Sequence, residues 1–168
     1  MKYHDHTEIL PLLEGAGQSW AHVKDDDTRR ELRTTLAFGF AEINGASALL
    51  QWLVHGHNEG RSLIALLNEA ARDIDEDGQR LTALDGLAFT GKPLPPEHAA
   101  RLDMTLTLAT MEANGAAALL EWLMREHEKG RPLNALLDAA YSQLDDDGRH
   151  LQALREQLAC QGGRHAKR

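Results

Sequence analysis

Apolar and small residues recur along this chain at alternating spacings of four and three, the period that lays a stripe down one side of a helix. One run reads Leu32, Leu36, Gly39, Ile43, Ala46, Leu50, Leu53, His57 and stops at Gly60. A second follows that glycine as Leu63, Leu67, Ala70, Ile74, Asp77, Leu81, Leu84, Ala88. Both return farther along, as Leu102, Leu106, Ala109, Ala113, Ala116, Leu120, Leu123, His127 and, past Gly130, as Leu133, Leu137, Ala140, Leu144, Asp147, Leu151, Leu154, Leu158. Each glycine stands where a helix C-cap belongs and Pro132 suits a helix opening, so Gly60-Arg61 and Gly130-Arg131-Pro132 predict tight turns. The pattern therefore predicts two helical hairpins with arms of about 30 residues, or about 45 Å at about 1.5 Å per residue.

The hairpins are copies of one unit. A shift of 70 residues aligns 31–90 with 101–160 without a gap, and 26 of the 60 aligned positions are identical, which marks a duplication. The clearest block, Asn44-Gly45-Ala46, Ala48-Leu49-Leu50, Trp52-Leu53, His57 and Gly60-Arg61, recurs as Asn114-Gly115-Ala116, Ala118-Leu119-Leu120, Trp122-Leu123, His127 and Gly130-Arg131. The expected fold is all-α, two tandem helical hairpins packed as an antiparallel four-helix bundle. At 168 residues the chain suits a single domain with a substantial core. Residues 90–96, Thr90-Gly91-Lys92-Pro93-Leu94-Pro95-Pro96, read as the linker between hairpins. Asp25-Asp26-Asp27-Thr28 supplies capping groups before the first arm, a short extra helix is expected between Thr7 and Val23, and residues 162–168 read as a disordered tail.

Glycine pairs interrupt the arms at matching places: Asn44-Gly45 and Asn114-Gly115 in the first arms, Asp77-Gly78 and Asp147-Gly148 in the second. Neither pair suits a helix interior, so each arm reads as one kinked helix or as two. Asn44 lies 16 residues before Gly60 and Asp77 17 after it, which puts the interruptions at nearly one height in a hairpin. The structural expectation is that the glycines let the two arms approach while Asn and Asp satisfy backbone or each other. The chemical one is a shared layer of Asn44, Asp77, Asn114 and Asp147 that holds a cation or polar ligand.

Trp52 and Trp122 fall outside the main stripes and form a second apolar line with Leu49 and Leu119. Such a line either joins hairpin to hairpin across a pseudo-two-fold axis, as an unduplicated ancestor would have formed a homodimer, or binds another helix through its aromatic anchors.

Motifs for chemistry are sparse. Asp73-Ile74-Asp75-Glu76-Asp77-Gly78 resembles the opening of an EF-hand calcium loop, but Leu84 stands where that loop needs a bidentate Glu. No Glu-x-x-His occurs for a di-iron bundle, and the Asp147-to-His150 spacing is lost in the first copy, where Arg80 replaces the histidine. His57 and His127, which do recur, sit in a last helical turn where an imidazole suits the helix dipole. His4-Asp5-His6 and His55-Gly56-His57 have no zinc spacing. No phosphate loop or nucleophile elbow is present, so no metal site, cofactor or enzymatic activity is expected.

Composition adds two constraints. The formal charge of −8 works against phosphate backbones, and the basic Arg164-His165-Ala166-Lys167-Arg168 ending lacks interleaved aromatics, so no nucleic-acid partner is expected. The start lacks an apolar signal core and no apolar run is long enough for a bilayer, so the expected location is cytoplasmic, away from membranes. The lone Cys160 forms no internal disulfide and reads as an incidental thiol. The resulting expectation is a non-enzymatic regulatory or adaptor protein that binds a protein partner, or its own copy as a homodimer, through the line Leu49, Trp52, Leu119 and Trp122. The competing expectation is a ligand- or metal-binding bundle using the Asn/Asp layer or the repeated histidines.

Overall fold

The computed structural model describes residues 26–88 and 95–162. Four helices form there: α1 (Asp26–Asn58), α2 (Leu63–Ala88), α3 (Pro96–Glu128) and α4 (Leu133–Gly162). They pack as the two-hairpin bundle that the periodicity predicts. The expected helix between Thr7 and Val23, the linker residues 90–94 and the tail from 163 lie outside the described residues. Pro95 is the N-cap of α3 and Pro96 its first residue, where a missing N–H costs nothing, so the end of the predicted linker opens a helix instead.

Both turns have the same construction. Gly60 and Gly130 each take φ +88°, a conformation that only glycine adopts without penalty. Arg61 N–H donates to the Gly56 carbonyl (3.0 Å) and Gly60 N–H to that of His57 (2.9 Å), and the second copy repeats the pair from Arg131 to Glu126 (3.2 Å) and from Gly130 to His127 (2.8 Å). This Schellman arrangement occupies carbonyls that a helix end leaves without partners. The second turn is clasped further by Glu126, which accepts from Lys129 Nζ (2.7 Å) and Arg131 Nη1 (3.2 Å).

Leu53, Leu63 and Leu66 beside the first turn share one buried cluster with Leu123 and Leu136 beside the second. The turns therefore lie at the same end, α1 and α3 run side by side in one direction, and α2 and α4 run antiparallel to them. Each second arm leans more on the first arm of the other hairpin than on its own. Burial of such leucines is worth about 1.5–3 kcal/mol each.

All four helices run unbroken through the glycine pairs. The first pair explains itself at the seam between α1 and α3. A Cβ placed on Gly45 would lie 1.8 Å from the Glu112 carbonyl oxygen, and one on Gly115 1.9 Å from that of Glu42. The close approach is thus between the hairpins and not, as the sequence suggested, between the arms of one hairpin. Gly78 and Gly148 behave otherwise, since nothing lies within 4 Å of where their Cβ would stand.

Two predictions follow from this packing. Gly45→Ala or Gly115→Ala should destabilise the fold by at least about 2 kcal/mol, because forcing backbones apart outweighs the gain of about 1 kcal/mol in helix propensity. Gly78→Ala or Gly148→Ala should instead stabilise it by about 0.5–1 kcal/mol, and urea denaturation separates the two pairs. The second concerns Glu126. Its hydrogen bond with Lys129 and then that with Arg131 hold its carboxyl below the ordinary carboxylate range. A carboxyl depressed by folding stabilises above its unfolded pKa, and that contribution is lost as pH falls through the lower folded value. Wild type should therefore lose more stability than Glu126→Gln on acidification through this window, as read by melting curves against pH.

Candidate functional site

The second apolar line divides between core and surface. Leu49 and Leu119 are buried in the cluster common to both hairpins, and Trp52 and Trp122 are half-buried against it. Each indole carries a cation from its own turn: the Arg61 guanidinium lies 5.7 Å from the Trp52 ring centroid, and that of Arg131 5.9 Å from Trp122, within cation–π range. Arg61 also pairs with Glu69. His57 Nδ1 lies 3.4 Å from the Arg61 carbonyl and His127 Nδ1 3.2 Å from that of Arg131; protonated there, each ring donates across its turn. The repeated His, Gly, Arg and Trp thus form a brace that orients the indole. The recurrence of Arg61 and Arg131 beside the tryptophans was the signal for it.

No hydrogen bond joins any two of the four residues of the expected polar layer. Asn44 and Asp77 are exposed, Asn114 and Asp147 partly buried. Arg80 donates to Asp77 (3.1 Å) and Gln143 to Asp147 (2.9 Å). Among the described residues, no group of three His, Cys, Asp or Glu side chains is placed to hold a metal ion. No helix there is long and apolar enough to cross a membrane.

A groove of about 510 Å³ runs between α1 and α2 with α3 as its floor, within the range of about 300–1,000 Å³ usual for binding sites. Gly45, Ala48, Leu49 and Trp52 form one wall; Ala70, Ile74 and Leu81 line the other, with Asp73, Asp77 and Arg80 along its edge; Ala109, Ala113 and Ala116 floor it beside Glu112. Three residues singled out from sequence, Leu49, Trp52 and Asp77, therefore meet here. A smaller opening of about 290 Å³ lies on the opposite flank of α2, and Ile74, Leu81 and Ala113 line both.

The copies have diverged in bulk beside the groove, most directly at Ala113, which stands where the first copy has Ile43. In the other half of the bundle, Leu36, Leu151, Leu154 and Leu158 form a second buried cluster, with Leu32, Phe40 and Ile43 packed on it. Ala109, Thr110 and Ala113 stand where the first copy has Gly39, Phe40 and Ile43. Gly39 admits the Leu151 side chain to 3.1 Å from where a Cβ would be. Leu84 is 52% exposed while its counterpart Leu154, in the cluster that Phe40 and Ile43 pack against, is 5% exposed. Glu112 is exposed at the groove, whereas its counterpart Glu42 is 5% exposed. Sequence reasoning missed this site because it compared what the copies share; the signal lay in the sizes of the residues they do not.

No protein-family model, curated protein or solved structure matches the chain. The site therefore rests on its own geometry.

Restoring the first copy's residues tests the origin of the groove. Thr110→Phe with Ala113→Ile should raise stability by about 1–2 kcal/mol through added apolar burial, measured by urea denaturation, and should shield Leu81 and Leu84 from solvent.

Proposed function

We propose that this chain is a non-enzymatic adaptor that holds a helix of a protein partner in the α1–α2–α3 groove. The observation that carries the reading is the broken pseudo-symmetry: one half of a duplicated scaffold packs Phe40 and Ile43 onto its leucine cluster and keeps an opening of about 370 Å³ beside Tyr141 and Leu144, while the other half, among the described residues, has the larger groove of about 510 Å³ and leaves Leu84 exposed. An open apolar surface costs free energy in water unless another surface covers it.

The shape of the groove favours a helix as the occupant. Its α2 wall runs from Ala70 to Leu81, roughly 16 Å at about 1.5 Å per residue, or three helical turns. Its floor is a row of methyl groups on α3, which permits close approach by another helix, and Trp52 offers the broad flat contact typical of an interface anchor. In this reading Leu49 supports the site from beneath, Trp52 touches the partner, and Leu119 and Trp122 serve the core and turn of the other half. Arg61 keeps the Trp52 indole in place.

Native mass spectrometry of the chain drawn from its host's lysate, beside the Thr110→Phe/Ala113→Ile variant, tests the proposal. A protein retained by wild type and lost from the variant is the expected result. Equal retention of that protein by both would overturn the reading, as would a metal ion or small molecule bound in place of any protein.

A further inference from the structure

Building on the partner-binding reading, we propose that the groove selects a basic amphipathic helix, with an Ile-sized or larger apolar side chain seated over Ala113 and Lys or Arg side chains set against Asp73, Asp77 and Glu112. Two independent features of the groove set these requirements.

The first is the missing volume. In the filled half the place of Ala113 is taken by Ile43, and Phe40 packs one turn before it on the same cluster. A partner that occupies the groove supplies equivalent bulk over Ala113 from an apolar side chain of its own helix. The second is the charge around the apolar floor. Asp73, Asp77 and Glu112 are exposed carboxylates lining the groove, against Arg80 as the single basic residue there. Arg80 is already engaged, with Asp77 at 3.1 Å and Glu76 at 3.5 Å, and Asp73 meets Arg72 at 3.3 Å across an exposed contact. Glu112 has no ion pair among the described residues. The rim therefore presents net negative charge on a chain whose formal charge is −8, which attracts cationic partners and repels acidic ones. Rim charges of this kind govern selection and encounter rate, while the apolar floor governs residence.

The test is selection from a displayed library of random helical peptides, with wild-type protein as bait and depletion on Thr110→Phe/Ala113→Ile. Ala48→Arg, a substitution at an exposed position of the α1 wall, serves as a second blocked form should the double variant fold poorly. Enriched peptides are expected to carry net positive charge and apolar residues at helical spacing, with at least one Phe, Ile or Leu. Their affinity, read by fluorescence anisotropy, should fall by about tenfold in Glu112→Lys and fall again at high salt, as screening of exposed charges requires. Enriched peptides that are neutral or acidic, or whose affinity is indifferent to Glu112→Lys and salt, would overturn the charge assignment and leave the groove as a partner site. A library in which no peptide distinguishes wild type from the blocked forms would remove the groove reading itself, and this inference with it.

Discussion

The backbones of α1 and α3 touch at Gly45 and Gly115, each glycine facing the carbonyl of the glutamate three residues before the other. At that separation no side chain stands between the helices, and the contact is of the Cα–H···O kind that recurs at close helix crossings. Glycine inside a helix gives up about 1 kcal/mol of propensity relative to alanine, so the pair persists because the rest of the packing depends on it. With α1 and α3 held together in one direction, Leu49 and Leu119 close into a common cluster and both turns come to the same end. The grooves left on either side of this central pair receive α2 and α4.

A contact in which each copy offers the same glycine and accepts the same carbonyl is isologous, the signature of a two-fold dimer. Here the duplication has placed it within one chain. That history leaves the two halves free to diverge wherever the seam does not constrain them. Phe40 and Ile43 pack on one flank, whereas their counterparts Thr110 and Ala113 are small, Ala113 lining the groove and both lining the smaller opening beside it. A packed core feels the loss of even one methylene, so these differences amount to a groove rather than to a local loosening. The turns, in contrast, have kept the same brace in both halves, because its Trp, His, Gly and Arg each meet a partner within the same repeat.

Much of the architecture was legible in the chain because it depends on local periodicity. Stripes at four-and-three spacing specify helices, a glycine that must take positive φ specifies each turn, and a gapless repeat specifies two equal hairpins. The interruptions were harder to read. Asn44-Gly45 and Asp77-Gly78 look alike in sequence, yet one lies at the seam and the other faces open space. Whether a helical glycine is required depends on what lies opposite it. In the proposed polar layer, likewise, Asp77 and Asp147 are paired with Arg80 and Gln143 of their own helices and with no other member of the four.

Sequence alone determined the all-helical class, the two hairpins, the turn positions and the Leu-Trp line, because each follows from spacing and backbone preference within a few residues. Only the tertiary structure decided that the glycine contact joins the two hairpins, that Leu49 and Leu119 belong to the core, and that, among the described residues, a groove lies between α1, α2 and α3. Those outcomes depend on which residue meets which across about 70 positions of chain, where side-chain volume and backbone distance decide and periodicity carries no information.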